Sequence, residues 1–371
     1  MDTLIFSASV GAGHDQASRA LQEEILRRYP KARVAIVDTI SYISPILNKL
    51  VLEGYLGLLK FSPRVYGKIY EKTEAGEAAA DIANLPYRLL SRALTKVIRD
   101  YSPDSIICTH AFSAGLIGSL KQRRRIHHYL TTVLTDFTVH SYWIHEGSDL
   151  YCIAHEQLAY LMDDFGIPRS QVAATGIPIL AKFSEKLDAE AVRAKYGLAD
   201  LPTVLVMGGS LGLGEIKQIV ECFDASAQDS QVLVVTGRNE ILHNELKNRY
   251  WRNTFHVYGF IDFVHELMTV ADMVLTKPGG ITSAEALSQG KPIIVISPIP
   301  GQEDRNSRWL TEQGCAIRLS ADKHAGLKLA QLLADRERLA SLGQRAAHLG
   351  RPFAARDVID QIEARLANQP R

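Results

Sequence analysis

Short runs of aliphatic and β-branched residues alternate with segments of helical spacing along almost the whole chain, and this alternation limits the possible folds more than any other feature. Thr3–Phe6 (TLIF), Arg33–Asp38 (RVAIVD), Ser105–His110 (SIICTH), Thr131–Asp136 (TTVLTD) and Leu150–His155 (LYCIAH) read as strands. Between them lie helical patterns such as 17–28, with Ala17, Leu21 and Ile25 on one stripe. Strands that are apolar at successive positions have no face to give to water. They predict a parallel sheet covered on both sides by crossover helices.

A second series of the same kind follows TGIPILAKF (Thr175–Phe183). It comprises Thr203–Ser210 (TVLVMGGS), Gln231–Asn239 (QVLVVTGRN), Phe255–Phe260 (FHVYGF), Met273–Gly280 (MVLTKPGG) and Pro292–Ser297 (PIIVIS). The chain of 371 residues is long enough for two such α/β domains. The expected division is 1–178, 183–348 and a C-terminal helical segment, 349–371, packing back on the first domain. Two doubly wound domains facing each other would make a central cleft at the carboxyl ends of their strands, where open α/β sheets bind ligands.

A formal net charge of +1 gives no nucleic-acid signature, and none is expected as a partner. Cys108, Cys152, Cys222 and Cys315 are too scattered for a zinc or disulfide framework, which suits a reducing cytosol. No apolar stretch is long enough to span a bilayer, and neither a signal peptide nor a solenoid repeat is expected.

Three loops after strands carry candidate chemistry. In GGSLGLGE (Gly208–Glu215), Gly208, Gly209 and Ser210 let the backbone approach a diphosphate at a helix N-terminus. A plain strand-to-helix turn reads the same way, and the missing Lys-Ser/Thr ending disfavours a P-loop. In KPGGITSAEALSQGKP (Lys277–Pro292), Gly279 and Gly280 end a strand. Thr282 or Ser283 can cap the next helix and bind a phosphate oxygen, and Glu285 can accept from two vicinal ribose hydroxyls or simply offset the helix dipole. In PIPGQEDRNSRWL (Pro298–Leu310), Gln302, Glu303 and Asn306 are either sugar-hydroxyl partners or a solvated turn. Arg238 of TGRN can hold a diphosphate or form a surface ion pair. Phe260 of VYGFID either lies against a uracil or packs in the core.

Asp136 and His140 form another polar cluster near His145 and Trp143; Trp143 suits sugar stacking or lipid contact. H-x4-H is not a standard zinc spacing, and no D-x-D is present, so no protein-bound metal is expected. Ser44–Tyr70 is the most apolar segment, with Ile46, Leu47, Leu50, Val51, Tyr55, Leu58 and Leu59 flanked by Lys49, Lys60, Arg64 and Lys68. It fits an interfacial helix on anionic lipid or a buried helix equally. KQRRRIHH (Lys121–His128) suits either an acidic membrane surface or a solvated helix end.

Taken in order, Gly208-Gly209-Ser210, TGRN, YGF, KPGGITSAEA, GKP and PGQEDRNS resemble the UDP-binding half of GT-B glycosyltransferases. With GAGH near the start, Leu134–Glu156 and TGIPI, nearly the whole chain resembles the family-28-like branch of monogalactosyldiacylglycerol synthases and processive diacylglycerol glucosyltransferases. That resemblance implies a GT-B fold of two Rossmann-like domains. It also implies an inverting transfer of a hexose from UDP-glucose or UDP-galactose, a co-substrate rather than a cofactor, to diacylglycerol or a glycosyl-diacylglycerol. It implies that His14, in the GAGH turn, is the catalytic base, where the bland alternative is a helix cap or phosphate contact; Asp136, at a strand end, could assist by orienting the histidine or by contacting the acceptor hydroxyl. Gly13, His140, Trp143 and Tyr55 are the expected acceptor contacts. The enzyme would sit peripherally on the cytoplasmic face of the cell membrane. Where the family often has three glycines before the histidine, Ala12 replaces the middle one. Transfer to a polyprenyl or soluble acceptor, a UDP-sugar epimerase or hydrolase, and a UDP-sugar sensor are the alternatives.

Overall fold

A computed structural model describes residues 1–8, 13–43, 86–209, 215–226 and 229–368. Ser210, Tyr55 and the Ser44–Tyr70 segment lie outside the described residues. The chain divides into two compact units. One is Met1–Leu180 with Ile299–Gln302 and Phe353–Arg371; the other is Ala181–Pro298 with Glu303–Pro352.

The first unit runs β1 (Thr3–Ser7), α1 (Gly13–Arg28), β2 (Val34–Asp38), α2 (Thr39–Ile43), α3 (Pro86–Tyr101), β3 (Ser105–Cys108), α4 (Ala111–Gln122), β4 (Tyr129–Val133), β5 (Leu150–Ile153), α5 (Ala159–Asp164) and β6 (Val172–Ala174). Its strands form one sheet in the order β2-β1-β3-β4-β5-β6, every pair parallel. The period of two sorts the apolar runs onto two faces. Leu4 and Phe6 of β1 and Ile106 of β3 pack with Leu94 and Ile98 of α3 and Ile117 of α4. The intervening Ile5 and Ile107 turn to the opposite face and meet Leu21 and Ile25 of α1.

The second unit repeats the plan with α6 (Ala189–Tyr196), β7 (Thr203–Met207), α7 (Ile216–Ser226), β8 (Gln231–Val235), α8 (Glu240–Lys247), β9 (Thr254–Tyr258), α9 (Val264–Val270), β10 (Met273–Thr276), α10 (Gly280–Ser288), β11 (Ile293–Ile296), α11 (Gln302–Glu312, its first residue grouped with the first unit), β12 (Ala316–Leu319), α12 (Ala325–Ala334) and α13 (Arg336–Leu349). Its sheet is also all parallel, in the order β12-β11-β10-β7-β8-β9. Val204, Val206, Val232, Val234, Met273 and Leu275 share a core with Ile219 and Phe223 of α7 and with Leu329 and Leu333 of α12.

Strand order reverses beside β1 in the first sheet and beside β7 in the second. The loops after β1 and β3, and after β7 and β10, therefore diverge at a switch point. The sequence reading did not find β6 or β12. Both are edge strands, short and partly exposed, so they lack the continuous apolar run that marks the central strands.

The last helix, α14 (Ala354–Ala367), covers the α1 face of the first sheet: Val358, Ile359 and Ile362 join Leu21 and Ile25. Arg28 of α1 reaches Asp360 at 2.6 Å and Glu363 at 3.2 Å while also bonding Glu24. Ile359 is fully buried. Replacing it with Ala should cost roughly 2–5 kcal/mol by leaving a cavity under the sheet, read as a lower denaturant midpoint.

Candidate active site

His14 stands in the first turn of α1, just past the carboxyl end of β1. The main-chain carbonyl of Thr109, which follows β3, lies 2.9 Å from its Nδ1. A carbonyl oxygen can only accept, so Nδ1 carries the proton and Nε2 holds the lone pair. Thr135 Oγ1 lies 3.0 Å from the same nitrogen. Ser18 Oγ donates to the His14 carbonyl at 3.0 Å and sits 2.8 Å from Thr109 Oγ1, tying the first turn of α1 to the end of β3. Burial lowers the His14 pKa from its ordinary 6.5; Asp136, the Thr109 carbonyl and Asp15 pull it back up without cancelling the fall. The ring is therefore a neutral base at pH 7.

Asp136 is buried two residues beyond Leu134, and its effect on His14 is electrostatic. The groups within hydrogen-bonding reach of the His14 ring are instead Thr109 and Thr135, which the sequence reading had not singled out. They hold no distinctive motif; only the threading of three strand ends together identifies them.

Trp143 is buried with its ring 6.4 Å from that of His14. The exposed aromatic of this loop is Tyr142, 41% accessible, and Phe112 at the start of α4 is equally accessible. His140 is buried and its Nδ1 accepts from the Tyr142 backbone N–H at 3.2 Å. Gly13 opens α1. His145 Nε2 lies 2.7 Å from the Tyr142 carbonyl oxygen, and its ring packs over Gly115 of α4, so it pins the loop. The loop can approach α4 because Gly118 and Gly147 meet backbone to backbone.

The basic run Lys121–His128 does not join this site. Helix α4 starts beside His14 and runs back across the sheet, so its end lies at the strand-entry edge, about 18 Å away for twelve residues. Lys121 pairs there with Asp149, and the Arg124 and Arg125 side chains are exposed.

In the second unit the glycine turns follow β7 and β10, the two strands flanking the switch point. Gly209 has φ +69, a left-handed conformation, and a Cβ there would meet open space. Gly208 is buried beside it. Gly279 is the N-cap of α10 and Gly280 its first residue. Neither Thr282 nor Ser283 caps this helix, contrary to the sequence expectation, because the helix begins two residues earlier, leaving both inside the first turns. Ser283 Oγ is fully buried with no hydrogen-bond partner.

Glu285 is only 9% accessible, and burial pushes its carboxyl up to about 8 against the opposing pull of Lys182. That lysine donates to the Asp262 carbonyl at 2.5 Å. Asn306 is fully buried, and its Nδ2 donates to the Pro278 carbonyl at 3.1 Å, bracing the turn before Gly279. Glu303 lies in the first turn of α11, in the second unit; Gln302, which opens that helix, groups with the first. Phe260 is 59% accessible, so it is not a core residue, and the Arg238 guanidinium lies 5.4 Å from its ring centre. Among the described residues no group of three His, Cys, Asp or Glu side chains is arranged to hold a metal ion, and no helix is long and apolar enough to cross a membrane.

Residues 14–179 match the family model for monogalactosyldiacylglycerol (MGDG) synthase, and residues 203–361 match that for the glycosyltransferase family 28 C-terminal domain. A processive diacylglycerol beta-glucosyltransferase of Bacillus cereus (strain ATCC 14579) is 31% identical over 375 residues, covering 99% of this chain and 95% of the relative. That of Bacillus anthracis (strain CDC 684) is 31% identical over 368 residues, covering 97% and 93%. Among solved structures, MurG of Acinetobacter baumannii superposes with a TM-score of 0.65 at 14% identity, covering 98% of this chain and 99% of that one. Anabaena HepE in complex with UDP-glucose superposes with a TM-score of 0.56 at 14% identity over the whole of both chains. At that identity the superpositions establish the fold: two Rossmann-like sheets of the GT-B type.

A Cβ on Gly147 would fall 2.2 Å from the Gly118 carbonyl oxygen and 2.6 Å from its Cα, so one backbone has to move. Gly147→Ala should cost roughly 1–3 kcal/mol in thermal or denaturant unfolding. It should also perturb the fluorescence of Trp143, which the loop carries.

Proposed function

This chain belongs to the glycosyltransferase family 28 branch that includes monogalactosyldiacylglycerol synthases and processive diacylglycerol beta-glucosyltransferases, and from that premise we propose that it moves a hexose from a UDP-sugar to diacylglycerol or a glycosyl-diacylglycerol, forming a β-glycolipid. The observation that carries the mechanism is His14: a neutral imidazole whose Nδ1–H is held by the Thr109 carbonyl and whose Nε2 is left as the base. Nε2 takes the proton of the acceptor hydroxyl. The hydroxyl oxygen forms a bond to the anomeric carbon, the bond from that carbon to the diphosphate breaks, and UDP leaves with the electron pair. Attack from the face opposite the leaving group turns an α-linked donor into a β-product. Asp136 stabilises the imidazolium that forms, since its charge already raises the His14 pKa.

On the donor side, the turns at Gly208-Gly209 and Gly279-Gly280 bring the starts of their helices to the diphosphate; the Gly279 N–H is itself committed to the Lys277 carbonyl at 2.9 Å, which shapes the second turn. The charge that develops on UDP is met by these helix N-termini, with no metal held by the protein. Arg238 holds the diphosphate, Phe260 lies by the uracil, Glu285 takes the ribose diol, and Gln302, Glu303 and Asn306 serve the sugar end. Tyr142, beside Trp143, and Phe112, two residues after His110, are exposed, and they meet the apolar part of the acceptor. A lipid acceptor and a nucleotide-sugar donor place the reaction on the cytoplasmic face of a membrane, with the enzyme bound peripherally.

The test is product formation from labelled UDP-glucose or UDP-galactose with diacylglycerol in anionic liposomes. Wild type should give a labelled glycolipid that persists in EDTA. His14→Ala should lower kcat by about 10²–10⁴-fold while donor binding persists. The acid limb of kcat/KM should fall below 6.5, because neutral His14 is required and burial lowers its pKa. UDP-hexose binding with no lipid product would remove the acceptor assignment.

Glu285 supplies an independent check. Below about pH 8 its free carboxyl holds a proton. A ribose diol donating to both oxygens favours the carboxylate, so binding expels that proton. UDP-hexose affinity, measured by calorimetry, should rise by up to about tenfold per pH unit as pH approaches 8 and then level off. Glu285→Gln should bind more weakly and lose this dependence.

A further inference from the structure

Two imidazoles stand at the switch point of the first sheet. His14 follows β1 and His110 follows β3, the strands on either side of the reversal. Their ring centres are 4.5 Å apart with the planes at 77°. Their hydrogen bonds require opposite tautomers. Nδ1 of His14 faces a carbonyl and must carry a proton. Nδ1 of His110 accepts the backbone N–H of Phe112 at 3.1 Å and cannot carry one, so the single ring proton of His110 is on Nε2. Among the described residues neither Nε2 has a hydrogen-bond partner. One is a bare acceptor and the other a bare donor, on neighbouring rings.

We propose that His110 is a second catalytic residue of this site, whose Nε2–H donates to the oxygen of the same acceptor hydroxyl that gives its proton to His14 Nε2. The hydroxyl is then fixed from both sides, and its remaining lone pair points to the anomeric carbon. No proton passes to or from His110. It begins and ends the step neutral, while the hydroxyl proton moves to His14 and the electron pair of the broken bond leaves with UDP. The inference rests on the reading of His14 as the base.

Burial and the neighbouring His14 hold the His110 pKa well below its ordinary value, so it remains a donor when His14 becomes an imidazolium. His140 and His155 cap their turns in the same way, so the cap is not what marks His110; its ring is set apart by the His14 ring 4.5 Å away. The ring adds an N–H on the far side of the cap.

His110→Asn separates the two roles, because Asn retains a capping oxygen and loses the distal N–H. The expected result is a melting temperature within about 2 °C of wild type, unchanged UDP-hexose binding, and a kcat/KM for the lipid acceptor about tenfold lower. Wild-type kcat/KM in His110→Asn would overturn the proposal. Nitrogen-15 spectra of histidine-labelled wild type test the premise without any variant or substrate. They should show the proton on Nδ1 of His14 and on Nε2 of His110 at pH 7. A His110 protonated on Nδ1, or on both nitrogens, would also overturn it. The two readings fail separately. No glycolipid from wild type removes the transferase reading, whereas normal glycolipid synthesis by His110→Asn removes only the role of His110.

Discussion

A parallel strand can be followed by another only after a crossover, and where successive crossovers leave the sheet in opposite directions their loops must part. The opening this makes is a property of strand order, set before any polar side chain is chosen. In the first unit it falls between β1 and β3, and in the second between β7 and β10. His14 and His110 stand at one opening, and the Gly208-Gly209 and Gly279-Gly280 turns at the other. The apolar runs that bury both sheet faces are therefore also what aims these four loops. A shift of one residue in β1 would send Phe6 to the wrong face and displace His14 with it.

The two openings solve different electrostatic problems. At the first, burial is set against partial compensation. It lowers the pKa of His14, while Asp136 and the Thr109 carbonyl restore part of what is lost, so the ring is neutral at pH 7. Fixing Nδ1 on a main-chain carbonyl is a robust device, because every residue that could stand at position 109 carries that oxygen.

At the second opening burial outweighs its compensation, since Lys182 only partly opposes it at Glu285. Glu285 and Ser283 lie in the first turns of α10 with almost no access to water, and Ser283 Oγ has no partner. A buried hydroxyl left unsatisfied like that of Ser283 lowers stability. Asn306 contrasts with Ser283. It is just as buried, but its amide is committed to the Pro278 carbonyl, so part of its role is to hold the turn in shape.

The sequence by itself determined the class of fold, its two sheets and most of their strands, because continuous apolar runs of strand length have few ways to be buried. It also picked out candidate loops, since glycines and ionisable residues right after such runs fall at strand ends. It did not reveal β6 and β12, whose edge positions leave them short and partly polar. It did not reveal that Thr109 and Thr135 face the His14 ring, that Trp143 is buried while Tyr142 is exposed, or that Lys121–His128 ends on the far edge of the sheet. Those facts depend on which strand ends lie side by side and which way a helix runs back across them. Residues 95 and 121 positions away from His14 in sequence become its hydrogen-bond neighbours only when β1, β3 and β4 share one sheet. Local pattern reports how each segment is buried; the tautomer and charge of a buried ring depend on neighbours that only the assembled sheet supplies.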